Sequence, residues 1–148
     1  MILGLGNTIL TDDGVGIYVV RAIQNCWQNE KVDVKEAAAG GLELLHLLSG
    51  YERAILVDAV PLKDQPPGAF ARLIPDDLGG GSAMARHQVA FSEALALGRK
   101  TGMNLPGSIV IYGIQVADVT TFGEEATPEV ARSIPRVARA VWKDANGL

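Results

Sequence analysis

The run Arg53-Ala-Ile-Leu-Val-Asp58-Ala-Val is the strongest constraint on the fold of this chain. Its apolar residues follow one another without the two-residue alternation of a half-exposed strand, so both faces of the strand must be covered. Such strands belong to parallel sheets with helices packed on each side. The rest of the chain supplies those helices. Ile2–Gly6 reads as a short buried strand, and Val15, Val19, Ile23 and Trp27 recur every four residues, predicting an amphipathic helix over Gly14–Gln28. A strand is expected at Val32–Ala38, followed by a helix introduced by Gly40-Gly41 and running through Leu48. After the Pro-rich loop Pro61–Gly68 comes a strand near Ala69–Ile74. The stretch Asp77–Met84 is too rich in glycine for regular structure and is expected to be mobile. A helix from His87 to Lys100 and a strand at Ser108–Ile114 follow. Thr127-Pro128-Glu129 combines a cap, an N1 proline and an early acid, opening a last helix that reaches Asp144, with Pro135 as a kink or early turn. The expected fold is α/β: a three-layer α/β/α sandwich around a mostly parallel, roughly five-stranded twisted sheet, with residues 1–148 forming one domain.

Composition bounds the function. Of 148 residues, 48% are hydrophobic and 20% charged, enough apolar material for a core. A formal charge of −4 opposes binding to nucleic acid. The lone cysteine, Cys26, cannot form an internal disulfide and fits a reducing compartment. No apolar run approaches the ~18 residues of a membrane span, so a cytoplasmic protein is expected.

In an open α/β sheet the ligand crevice lies beyond the carboxyl ends of the strands. Asp12 and Asp13 follow the first strand and Asp58 closes the third, which sets these acids at one edge. Gly4-Leu-Gly6-Asn7 resembles a phosphate-binding turn, but the carboxylates after it repel phosphate, and Ile9 stands where a dinucleotide fingerprint needs a third glycine. Asp58, set among apolar neighbours, needs a cation or hydrogen-bond donors. Thr11, Asp12 and Asp13 also suit the first turn of a helix, so one of the two acids is expected to cap it. His87 opens a helix after the glycine-rich stretch and can reach the crevice. His46 is expected to be a partly buried helix residue, Cys26 an inert core or boundary thiol, and Glu124-Glu125 a solvated turn. Two carboxylates and an imidazole suit a first-row divalent ion such as Ni²⁺ or Zn²⁺.

Gly4-Leu-Gly6-Asn7, Asp12-Asp13-Gly14-Val-Gly16, Val57-Asp58-Ala59 and His87-Gln88 together resemble the hydrogenase maturation endopeptidases, which process the large subunit of [NiFe]-hydrogenases. The resemblance extends to the Thr127-Pro-Glu-Val helix. It implies a metal-binding triad of Asp13, Asp58 and His87, with Asp12 as the structural acid. Many members carry Glu at the first position; Asp13 is one methylene shorter, which implies either a metal closer to the helix start or a slightly different geometry. The segment from Ile114 to Glu125 lacks the Pro-Glu of many relatives and leaves the particular substrate subunit open.

The resemblance further implies an aspartic-type, nickel-dependent endopeptidase that removes the C-terminal extension of a nickel-loaded large-subunit precursor. Nickel would be supplied by that precursor rather than held permanently. Asp58 is the expected general base, because lost hydration raises its pKa, and Gly79–Ala85 a lid. A cytoplasmic monomer with no nucleic-acid or membrane partner is expected. Two other readings stay open: a non-enzymatic nickel carrier or checkpoint that binds the precursor without cutting, and a metallohydrolase acting on small substrates.

Overall fold

The computed structural model describes residues 1–77 and 83–148, the side chains of 83–90 excepted. Among the described residues the strands β1 (Ile2–Leu5), β2 (Val34–Ala37), β3 (Arg53–Ala59), β4 (Phe70–Leu73) and β5 (Ser108–Ile114) form a five-stranded sheet in the order β2-β1-β3-β5-β4. The β1 strand runs parallel to β2 and β3, and β3 runs parallel to β5, with Asp58 opposite Gly113. Only the edge strand β4 is antiparallel, Phe70 facing Ile114. The helices are α1 (Val15–Cys26), α2 (Gly41–Leu48), α3 (Ala83–Lys100) and α4 (Pro128–Ala145).

The sheet buries both faces, as the uninterrupted apolar runs require. Ile2, Ile55, Val57, Val110, Tyr112 and Ile114 pack on one side with Val15, Val19 and Ile23 of α1 and Val137 and Val141 of α4. Leu3, Leu5, Leu56, Ile109 and Ile111 point the other way, onto Leu44, Leu45 and Leu48 of α2 and Phe91 and Leu95 of α3. Successive strand residues thus alternate between two cores, and each fully buried branched aliphatic contributes about 1.5–3 kcal/mol. Helix α1 meets the sheet backbone to backbone: a Cβ on Gly16 would lie 2.1 Å from the Val57 carbonyl oxygen and 2.4 Å from that of Leu5.

Several local expectations are corrected. The segment Thr11–Gly14 is a separate 3-10 turn, so α1 begins at Val15 and ends at Cys26 rather than Gln28. Strands β2 and β4 are shorter than expected, and β3 stops at Ala59. Helix α3 starts at Ala83, four residues ahead of His87; Ala83, Met84, Ala85 and Arg86 are all good helix formers, which the adjacent glycines obscure. Pro135 sits inside an uninterrupted α4, without ending it. Cys26 is exposed at the end of α1, and His46 is exposed on α2. Glu124 and Glu125 are solvated, as expected.

At the end of the sheet away from the strand carboxyl termini, Asp144 of α4 takes the guanidinium groups of Arg53 and Arg72 and the Tyr112 hydroxyl, the last two at 2.9 and 3.1 Å. Burial opposes its ionisation, but the hydrogen bonds from Arg72 and Arg53 prevail and hold the carboxyl below its ordinary value. This ties the end of α4 to three strands.

Candidate functional site

Beyond the carboxyl ends of β1 and β3 lies a cleft of about 350 Å³. Leu5, Leu44, Leu56, Val60, Phe91 and Ile111 make its apolar walls, and Ala38–Gly41 forms one rim. Asp13 and Asp58 both line it.

Asp58 arrives there by strand register. Alternation puts it on the α2–α3 side of β3, with Leu56 and Val60 on either side. It keeps some exposure to the cleft, yet the surrounding protein displaces most of its hydration. That desolvation is the main force pushing its carboxyl up to about 7; the Ala59 N–H, donating to Oδ1 at 2.8 Å, works against the rise and the Asp13 charge adds to it.

Asp13 arrives by a turn. Gly6, at φ 138°, allows the chain leaving β1 to fold back so closely that a Cβ there would lie 1.9 Å from the Asp13 carbonyl oxygen. The Asn7 N–H then donates to Asp13 Oδ2 at 3.1 Å, while the Asn7 side chain accepts the Ile9 N–H at 3.2 Å. Thr11, next along, adopts a left-handed conformation at φ 48°, which for a β-branched residue costs about 1–3 kcal/mol and persists only where its surroundings enforce it. Its hydroxyl donates to the Thr121 carbonyl at 2.5 Å and its N–H to the Gly123 carbonyl at 2.8 Å.

Asp12 turns away from the cleft and is fully buried. Its Oδ2 accepts the N–H groups of Ala117 and Asp118 at 2.9 and 3.0 Å, and its Oδ1 accepts the Thr127 N–H at 2.7 Å. The Thr127 hydroxyl donates to the same carboxylate at 2.9 Å. Asp12 is thus structural as expected, but it does not cap its own helix; no side-chain cap bond closes the start of α1. Thr127 likewise makes no cap bond to α4, because its hydroxyl is spent on Asp12, while Pro128 takes the expected N1 place.

His87 lies on helix α3, and its side chain is outside the described residues. Of the expected lid, Gly79–Ser82 fall wholly outside them. The structure therefore brings Asp13 and Asp58 together and adds two residues that the sequence reading gave no role: Asn7, which positions the turn, and Phe91, which walls the cleft. The asparagine had a signal, directly after Gly4-Leu-Gly6; Phe91 had none beyond helical spacing.

An acidic cleft thus lies at the carboxyl edge of a three-layer α/β sheet. The family model described as hydrogenase maturation protease matches residues 17–144, a span that contains Asp58 and His87 and begins just after Asp13. The chain belongs to the hydrogenase maturation protease family, a family of peptidases. Hydrogenase expression/formation protein HupD of Thiocapsa roseopersicina is 28% identical over 138 residues, covering 90% of this chain and 62% of that protein. The hydrogenase 2 maturation protease of Escherichia coli is 26% identical over 117 residues, covering 77% of this chain and 71% of that protein. The chain thus spans about two thirds of the length of these relatives. Among solved structures, the hydrogenase maturating endopeptidase HybD from E. coli superposes with a TM-score of 0.80 at 24% identity, over 99% of this chain and 91% of that one, and shares its fold.

Proposed function

We propose that the chain is an endopeptidase that removes the C-terminal extension of a nickel-loaded [NiFe]-hydrogenase large-subunit precursor. The observation that carries this reading is the pair Asp13 and Asp58 in one apolar-walled cleft, in a chain of this family. The third residue of the set is His87, which precedes the cleft wall Phe91 by four positions, about one helical turn. Two carboxylates and an imidazole offer hard and borderline donors to nickel that arrives with the substrate. Asp13, Asp58 and His87 would complete the coordination of that nickel, and Asp58 would act as base once its carboxylate is freed from the metal.

Hydrolysis then requires a base of suitable strength beside the scissile carbonyl. A carboxyl with a pKa of about 7 accepts a proton from water at neutral pH far better than an ordinary aspartate. As the water oxygen bonds to the carbonyl carbon, Asp58 takes its proton; the carbon–nitrogen bond breaks as that proton passes to the leaving amine. Nickel held by these residues would polarise the scissile carbonyl and so favour the same step. This is the aspartic-type, nickel-dependent chemistry we assign. We further propose one domain acting as a cytoplasmic monomer; the chain's length fits one domain and its lone cysteine fits a reducing compartment.

The test is cleavage of the cognate precursor, prepared with and without nickel and read by mass spectrometry. Loss of a C-terminal peptide from the nickel-loaded form alone is expected. Cleavage of both forms would keep the peptidase and remove nickel as the recognition element. Binding without cleavage would make the protein a carrier or checkpoint.

A further inference from the structure

Ile9 and Phe122 are 49% and 80% exposed, and each precedes one partner of the parallel Leu10–Gly123 bridge, which places them in register beyond the carboxyl edge of the sheet. The Gly123 N–H donates to the Ile9 carbonyl at 3.0 Å and the Thr11 N–H to the Gly123 carbonyl at 2.8 Å, so the chain after β1 and the chain before α4 are bridged here. Further bonds brace the same junction. The Thr11 hydroxyl holds Thr121, and Asp118 Oδ1 accepts the N–H groups of Thr120 and Thr121 at 2.9 and 3.0 Å. Asp12 ties Ala117, Asp118 and Thr127 to the residue next to Asp13. Phe122 is therefore not carried outward on a slack loop. It is built into the framework that sets Asp13.

An aromatic ring held in water by so many bonds gains nothing within the chain, and buried aromatics are the usual anchors of protein interfaces. The patch is continuous with the cleft: the Ile9 N–H donates to the side chain of Asn7, a cleft wall, at 3.2 Å. On the other rim Leu42, 58% exposed, follows the cleft residue Gly41. A cleft of about 350 Å³ accommodates only a few residues of a peptide, so the bulk of a protein substrate must rest outside it, at this edge. Building on the function proposed above, we infer that Ile9 and Phe122 form an apolar docking step for the folded body of the precursor, placing its terminal segment in register with Asp13 and Asp58.

The experiment compares wild type with Phe122→Ser, Ile9→Ser and the conservative Phe122→Leu. It measures cleavage kinetics on the nickel-loaded precursor and, separately, calorimetric binding of that precursor. Both serine variants are expected to retain the wild-type thermal midpoint, weaken binding about tenfold or more and raise KM rather than lower kcat. Phe122→Leu should recover most of the affinity. Wild-type affinity in both serine variants would overturn the docking step while leaving the peptidase intact. If wild type binds but does not cut, the proposed function fails and the binding series still decides the docking step. A wild-type dimer that dissociates on Phe122→Ser in sedimentation would make the face a contact between two copies and overturn the inference.

Discussion

The carboxylate of Asp12 receives both the backbone N–H and the hydroxyl of Thr127, at 2.7 and 2.9 Å, although the two residues are 115 positions apart. The first acid of the opening block is thereby fastened to the start of the last helix, where a negative charge also complements the helix dipole. Removing it deprives the N–H groups of Ala117, Asp118 and Thr127 of their acceptor and leaves a void where the buried carboxylate stood. Asp12→Ala is expected to cost about 2–4 kcal/mol in urea unfolding, with loss of processing following loss of folded protein. An unchanged midpoint would show that water replaces the carboxylate without penalty.

The cleft acids should behave in the opposite way. Asp58→Ala and His87→Ala are expected to fold, Asp58→Ala with a midpoint no lower than wild type at neutral pH, and to abolish precursor cleavage. Asp13→Ala should do the same if the second acid of the pair serves the site. Retained cleavage in Asp13→Ala alongside lost cleavage in a folded Asp12→Ala would reverse the assignment of the two acids.

Asp58 also predicts a dependence of stability on pH. Its folded pKa, about 7, lies above the ordinary 3.8, so the unfolded chain ionises first as pH rises. The group favours the folded state below about pH 4 and loses that contribution between about pH 4 and pH 7, by up to about 1.4 kcal/mol per pH unit. Asp58→Asn cannot ionise, so its stability relative to wild type should grow across this window. Parallel pH profiles for the two proteins would show that the carboxyl is hydrated in the folded state.

The same group should shape the rate. With Asp58 as base, kcat/KM for the nickel-loaded precursor falls about tenfold per pH unit below an apparent pKa near 7. A profile flat down to pH 5 would assign the proton transfer to another group.

Asp144 titrates with the contrary sign. Its carboxyl is held below 3.8, so the tie between α4 and the strands is present above about pH 4 and is lost as the group protonates in acid. The two arginine side chains are 39% and 51% exposed, which limits the expected cost of Asp144→Asn to about 1 kcal/mol at neutral pH. The difference from wild type should shrink when unfolding is measured at pH 3.

Much of the architecture was legible because burial writes itself into periodicity. The unbroken run before Asp58 demanded two covered faces, and the four-residue repeat from Val15 marked α1. The direction of β4 was not legible, since four residues of an edge strand look alike in either orientation. The start of α3 was hidden by the glycines before it. At the site, Asp58 announced itself through its apolar neighbours, whereas the separate places of Asp12 and Asp13 were implied by the family resemblance and not by residue pattern. The acids are adjacent in the chain, and what separates them is the set of donors at Ala117, Asp118 and Thr127, brought in by tertiary folding.

The contact of Gly16 with the Val57 carbonyl has a consequence for anyone who would redesign this cleft. Three residues before it stands Asp13 and one residue beyond Val57 stands Asp58, so main chain alone gauges the opening between the two acids. That wall behaves as a fixed jaw, which rotamer changes cannot loosen and even one methyl group would force apart. The opposite jaw, made of side chains from α2 and α3, is the one that substitution can move, and retuning the enzyme for a different substrate should start there.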